Sequence, residues 1–188
     1  KFYGMVIGAA SFFDPASLTR GNKNITPVND AKYKPKRFYF TDAITDNTLM
    51  YLKEHQQEEK KTGKDKPFFA YVAYTAAHWP MHAHPEDIAK YKGVYDEGWD
   101  ALRASRHKKM IDIGLVDKKW GITPRGEKVP AWDSLSDAKK KVLPTRMETY
   151  AAMVDCMDQG IGKIIAELKN QGKFENTLIL FLQDNGGC

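Results

Sequence analysis

Two side chains with oxygen donors follow an apolar run near the end of the chain. Residues 178–182 are all apolar, and Asp184 and Asn185 come next but one, followed by two glycines. A short continuous apolar run is typical of a strand buried in a parallel sheet, and ligands gather beyond the carboxyl ends of such strands. Carboxylate and carboxamide oxygens bind Ca²⁺ or Mg²⁺. Asp-Asn-Gly is also ordinary turn chemistry, so a metal site and a simple strand exit both stay open on spacing alone.

Three histidines follow a second apolar run. Residues 67–75 are almost wholly apolar or aromatic, and His78, His82 and His84 lie in the proline-containing segment after them. An imidazole at the end of a buried strand can transfer a proton or contact an anion. The irregular spacing is not specific for a metal site. We interpret His82 and His84 as paired with backbone groups, whereas for His78, nearest the strand end, a chemical and a structural role are equally open.

The helix between these segments is predicted from its apolar spacing. Between Ile44 and His55, the residues of one inward face recur at helical intervals, which indicates a helix over 42–60. Thr41 is its predicted cap and Asp42 lies in its first turn. A helix between two buried strands favours a right-handed βαβ unit.

The later part of the chain is predicted to be mainly helical. The sequence from Thr145 to Glu148 matches a capping box, and an apolar stripe continues to Leu168. Gly160 and Gly162 weaken that helix, which indicates close packing against a neighbour. Short helices are expected over 86–92 and 96–113, followed by a loop over 121–132. Three tryptophans in this region are predicted to pack a small subdomain: Trp99, Trp120 and Trp132.

Composition limits the class of protein. The 188 residues are 42% hydrophobic and carry a net charge of +5. No apolar run approaches the roughly 20 residues that span a bilayer, so no membrane span is predicted. The lysines over 53–66 and 139–141 favour solvated faces over a nucleic-acid partner. Cys156 and Cys188 can pair, but they lack the spacing of a zinc site. The chain opens without a signal peptide, as if within a domain.

Four segments in order resemble the type I sulfatases, the arylsulfatase family of the alkaline phosphatase superfamily. They are residues 2–20, 68–80, 150–168 and 176–187. The resemblance implies an α/β fold: part of an alkaline-phosphatase-like three-layer sandwich with a mostly parallel central sheet flanked by helices. Two strands alone cannot form such a sheet. We therefore expect residues 1–188 to be the central part of a sulfatase catalytic domain, with 93–140 an insertion or loop subdomain.

The resemblance also implies a chemistry. In such enzymes a Cys/Ser-x-Pro-Ser-Arg residue becomes formylglycine, whose hydrate attacks the sulfur of a sulfate ester beside a divalent cation. Asp184 and Asn185 match the late metal ligands, with Ca²⁺ favoured over Mg²⁺, and His78 matches the histidine that contacts the sulfate. Fixed positive charge and placed donors suit the charge that develops on sulfate oxygens.

The chain departs from the family pattern at the nucleophile. No Cys/Ser-x-Pro-Ser-Arg sequence is present, so formylglycine is expected outside this chain and the isolated chain is expected to be inactive. Aryl sulfates and sulfated glycans are the expected substrates, and periplasmic or extracellular localisation follows from the resemblance. Two alternatives stay open: a phosphoesterase or phosphonate hydrolase of the same superfamily, and a non-catalytic basic module that binds polyanions.

Overall fold

The computed structural model describes residues 1–6, 8, 10–183 and 185. The chain divides into two compact units, Lys1–Ala83 with Met153–Cys188, and His84–Ala152. The proposed boundary of a subdomain at 93–140 stays a prediction. Within the described residues, three short strands are followed by four α-helices: β1 (Tyr3–Met5), β2 (Leu18–Arg20), β3 (Lys23–Asn24), α1 (Phe40–Thr62), α2 (Pro85–Ala89), α3 (Gly98–Asp112) and α4 (Asp137–Asn170). Two 3₁₀ turns cover Trp132–Ser134 and Phe174–Asn176.

A small antiparallel sheet and α1 form the core of the first unit. The strand order is β1-β2-β3, with Gly4 opposite Thr19 and Arg20 opposite Lys23. Leu18 and Phe40 are almost fully buried, as is Met153 of α4. The buried apolar side chains of the first unit therefore come from three separate stretches of sequence, and their burial helps to stabilise the short strands.

Helix α1 confirms the helix predicted over 42–60, with two corrections. It begins at Phe40, two residues early, and its N-cap is Tyr39 rather than Thr41. The Thr41 hydroxyl lies inside the helix and is buried. Gly63 ends the helix with a φ of 67°, a left-handed conformation that glycine adopts without steric cost.

Helix α4 is longer than its predicted capping box allows. It begins at Asp137 and continues through Pro144, so Thr145 is a helix-interior residue. The Glu148 carboxylate accepts a hydrogen bond from the Gly93 backbone N–H at 2.9 Å. The capping-box prediction is therefore wrong, because the glutamate satisfies a donor from a distant loop.

The second unit contains the aromatic packing predicted for its tryptophans, in part. Trp99 and Trp132 pack edge to face with ring centroids 5.0 Å apart. Gly98, at a φ of 79°, lies so close to the Trp132 ring that a Cβ atom would overlap it. Trp120, in contrast, is 57% exposed, so the packing prediction is wrong for that residue.

The two apolar runs are not buried strands in the described part of the chain. Neither 67–75 nor 178–182 has strand hydrogen bonds there. Phe69 is 93% exposed and Leu178 is 83% exposed. An apolar strand becomes buried only when other strands and covering helices surround it, and the described residues supply no such layers. The α/β sandwich with a mostly parallel sheet is thus not formed among them.

Candidate functional site

His78 lies on an exposed turn after the apolar run of residues 67–75. Its backbone N–H donates to the Thr75 carbonyl at 2.9 Å, and its ring Nδ1 lies 2.8 Å from the Trp79 carbonyl oxygen. A carbonyl only accepts, so this contact requires the proton on Nδ1. The neutral ring then has its lone pair on Nε2, and the protonated ring has a second N–H there. His78 is thus oriented with Nε2 as the atom for ligand chemistry.

His82 is held in the opposite way. Its Nδ1 accepts a hydrogen bond from the Phe12 backbone N–H at 3.4 Å, so in the neutral ring the proton lies on Nε2. The Phe13 ring lies 5.6 Å from the imidazole, centroid to centroid. The His82 carbonyl accepts from the Tyr39 hydroxyl at 2.8 Å. These contacts confirm the interpretation of His82 as a residue paired with the backbone.

His84 belongs to the second unit and is buried. It is the N-cap residue of α2, and its carbonyl accepts hydrogen bonds from the backbone N–H groups of Asp87 and Ile88 at 3.0 and 3.1 Å. These contacts involve the His84 backbone, so the interpretation of its imidazole as paired with backbone groups stays a prediction. No group of three or more His, Cys, Asp or Glu side chains suited to a metal ion occurs among the residues that the structure describes.

The predicted metal pair is only partly described. Asn185 is exposed, while Asp184 lies outside the described residues. The donor chemistry of the pair fits a hard divalent cation, because both side chains offer oxygen. Two side chains supply a minority of the about 6–8 oxygen ligands that Ca²⁺ takes, so further ligands are needed. The metal role of Asp184 and Asn185 stays a prediction.

Cys156 lies in the core of the first unit. Its Sγ donates to the Asp42 carboxylate at 3.5 Å. Cys188 lies outside the described residues, so the proposed pairing of the two cysteines stays a prediction.

A buried ion pair in the first unit was not predicted from the sequence. The Arg20 guanidinium donates to both Asp30 carboxylate oxygens, at 2.6 to 3.2 Å, and to Asn47 at 2.6 Å. It also lies over the Tyr3 ring, 4.7 Å from the centroid. Burial is the largest single influence and raises the pKa of Asp30, but the hydrogen bonds and charge of Arg20 together with backbone hydrogen bonds outweigh it, so the pKa is below its ordinary value. This cluster joins the small sheet to α1, because Arg20 of β2 donates to Asn47 of α1. Arg20 ends one of the four segments of the family resemblance, and no other sequence signal indicated the cluster.

A second ionic cluster lies where α1 ends. Lys173 donates to Glu59 at 2.8 Å, and Glu59 also accepts from the Lys66 backbone N–H at 3.0 Å. These hydrogen bonds, chiefly the one from Lys173, lower the pKa of Glu59 to about 2. His55 extends this cluster, since its Nε2 lies 2.9 Å from the Lys66 carbonyl.

No helix among the described residues is long and apolar enough to cross a membrane.

Comparison with known proteins identifies the relatives of this chain. A family profile described as Sulfatase matches residues 7–187. An uncharacterised sulfatase of Schizosaccharomyces pombe is 37% identical over 152 residues, which cover 80% of this chain and 26% of that protein. An arylsulfatase of Klebsiella aerogenes is 33% identical over 152 residues, which cover 81% of this chain and 31% of that protein.

A more distant relative carries the superfamily name. The multifunctional alkaline phosphatase superfamily protein PehA of Trinickia caryophylli is 26% identical over 177 residues, which cover 90% of this chain and 32% of that protein. The chain therefore spans about a quarter to a third of the length of these three relatives.

Proposed function

The chain belongs to the sulfatase family, and we propose that it is the central part of a catalytic domain that hydrolyses sulfate esters. The match over residues 7–187 carries the proposal, since it includes both His78 and the Asp184–Asn185 pair. Relatives whose names specify sulfatase or arylsulfatase favour sulfate over phosphate esters. The phosphoesterase and polyanion-binding alternatives have no such support.

His78 is the residue of the described chain to which we assign a catalytic role. Its Nδ1–H donates to the Trp79 carbonyl, 2.8 Å away. This hydrogen bond restricts rotation of the ring, so the turn sets the direction in which Nε2 points. An imidazolium Nε2–H can donate to a sulfate oxygen, or transfer its proton to the leaving oxygen as the ester bond breaks. The exposure of the ring allows either contact.

Asp184 and Asn185 are proposed to hold a divalent cation, Ca²⁺ before Mg²⁺. When bound, such a cation supplies positive charge against the sulfate oxygens. The formylglycine nucleophile is proposed to lie in sequence outside this chain. We also propose sulfated glycans or aryl sulfates as substrates, and export to the periplasm or extracellular space, on the basis of family resemblance.

The test compares matched variants of the full-length enzyme that contains this chain. We expect Asp184→Asn and His78→Ala each to lower kcat for 4-nitrophenyl sulfate by about 100-fold or more, as for loss of one transition-state charge contact. Asp158→Asn, an exposed carboxylate on α4, is the matched control and should leave kcat unchanged. A second assay measures the sulfate released from a sulfated polysaccharide. Comparison of its rate with the rate for 4-nitrophenyl sulfate distinguishes sulfated glycans from aryl sulfates as substrates.

Two results would contradict the proposal. Full activity of Asp184→Asn would remove the metal role, and full activity of His78→Ala would remove the catalytic role. Hydrolysis of phosphate monoesters in preference to sulfate esters by the full-length enzyme would overturn the reaction class.

A further inference from the structure

A cage of aromatic side chains surrounds His82. Phe12 and Tyr39 are almost fully buried, and their rings stack with centroids 5.8 Å apart. The Phe13 ring lies 5.3 Å from that of Tyr39 and 5.6 Å from the imidazole. Phe12 also packs edge to face on the imidazole at 6.3 Å. The imidazole therefore packs against the rings of Phe12 and Phe13, which in turn pack against Tyr39.

The cage is joined to the core by backbone hydrogen bonds. The Phe40 N–H, in the first turn of α1, donates to the Phe12 carbonyl at 2.7 Å. The Phe12 N–H donates in turn to His82 Nδ1 at 3.4 Å, and the Tyr39 hydroxyl donates to the His82 carbonyl at 2.8 Å. The side chain of His82 is thus tied to the loop between β1 and β2, and its backbone is tied to the N-cap residue of α1. Such double anchoring leaves the residue little freedom.

The anchored residue lies four positions after His78. His78 is held by contacts within its own turn, to Thr75 and to the Trp79 carbonyl. Those local contacts fix the shape of the turn, but they do not fix where the turn lies relative to the core. His82 supplies that second constraint. A displacement of about 1 Å in a catalytic group can cost about 100-fold in rate, so an anchor this near in sequence bears directly on turnover.

We propose that His82 is a positioning residue that fixes the location of His78 relative to the core. The proposal rests on the proposed function, because it acts through the catalytic role of His78. His82 itself is not required to touch substrate. Its necessary features are the acceptor at Nδ1, opposite the Phe12 N–H, and the carbonyl that accepts from the Tyr39 hydroxyl.

The test is a double-mutant cycle in the full-length enzyme with an aryl sulfate substrate. His82→Leu keeps apolar bulk and removes the acceptor, whereas His82→Asn keeps an acceptor near the position of Nδ1. We expect His82→Leu to lower kcat by about 10- to 100-fold with KM within about 2-fold. His82→Asn should retain kcat within about 3-fold. In a His78→Ala background, His82→Leu should add less than about a 2-fold loss, because its effect passes through His78.

Circular dichroism and the folded fraction by urea titration accompany each variant. If His82→Leu is poorly folded, Tyr39→Phe replaces it in the cycle. That change removes the hydroxyl that donates to the His82 carbonyl. We expect Tyr39→Phe to lower kcat as His82→Leu does, and we expect no such loss in the His78→Ala background.

The outcomes separate this proposal from the one it rests on. Independent, multiplicative losses from His78→Ala and His82→Leu would show a general structural role and overturn positioning. An equal loss of kcat in His82→Asn and His82→Leu would also overturn it. So would full activity of the His82→Leu and Tyr39→Phe variants. Unchanged turnover in His78→Ala would overturn the catalytic role of His78, and positioning with it.

Discussion

Gly160 of α4 lies against α1 and the apolar run of residues 67–75. A Cβ atom at this position would overlap the Thr45 hydroxyl and would lie 2.7 Å from the Tyr74 hydroxyl. These two hydroxyls are joined by a hydrogen bond of 2.8 Å. At Gly162, two residues later, a Cβ atom would have no neighbour within 4 Å among the described residues. The pair offers the same substitution in two different environments.

The expected effects have opposite signs. In a helix interior, Gly→Ala gains about 1 kcal/mol from propensity. At position 160 the added methyl overpacks the contact at a cost of about 1–3 kcal/mol, and separation of Thr45 from Tyr74 loses about 1 kcal/mol more. Gly160→Ala should therefore destabilise the fold by about 1–3 kcal/mol. Gly162→Ala, on the exposed face, should stabilise it by up to about 1 kcal/mol.

Urea unfolding followed by circular dichroism measures both free energies. Gly160→Ala should move the midpoint to lower urea and Gly162→Ala to higher urea, with the slope unchanged in each. The control for the steric argument is Gly160→Ala with Thr45→Ala, which removes the overlapped hydroxyl and should recover part of the loss. A Gly160→Ala protein at least as stable as the parent would refute the proposed close packing.

Two further predictions concern the ionic clusters. The pKa of Glu59 is lowered to about 2 from 4.5, so its interactions stabilise the fold above pH 4.5 and are lost as the pH falls towards 2. The difference in unfolding free energy between the parent and Glu59→Gln should therefore shrink from pH 6 to pH 2. A constant difference would contradict the role of Lys173. Arg20→Met leaves the buried Asp30 carboxylate without its cation and should cost about 3–5 kcal/mol in urea unfolding. Arg20→Met with Asp30→Leu should cost less, and a loss below about 1 kcal/mol in the single variant would contradict the ion-pair argument.

The helices were predictable because their signals are local. The spacing of apolar residues located α1 to within two residues at each end, and the close packing expected of Gly160 is present. For Gly162 the same expectation is wrong, because propensity gives no information on which face a glycine occupies. The start of α4 was missed because Pro144 and Thr145 look like a helix start, although a helix accommodates both in its interior.

The apolar runs show where local pattern fails. A continuous apolar sequence indicates the environment in which a segment would be stable, and it does not supply that environment. Residues 178–182 are all substantially exposed, with Ile179 at 45% and Leu178 at 83%. Burial of a strand depends on partners that are distant in sequence or in another part of a protein, so periodicity can predict the demand for a partner and not its presence.

The candidate site divides along the same line. His78 could be selected from the sequence, because a histidine after an apolar run is visible as a pattern and the family resemblance gives it a role. The anchor at His82 could not, because it is made by groups from Phe12 and Tyr39, 70 and 43 residues away in sequence. A candidate catalytic side chain is thus visible from its neighbours in sequence, whereas the contacts proposed to position it come from residues distant in sequence. Substitutions at His82 leave the residues around His78 unchanged. They therefore test whether His78 and its sequence neighbours are sufficient for turnover without the contacts made by His82.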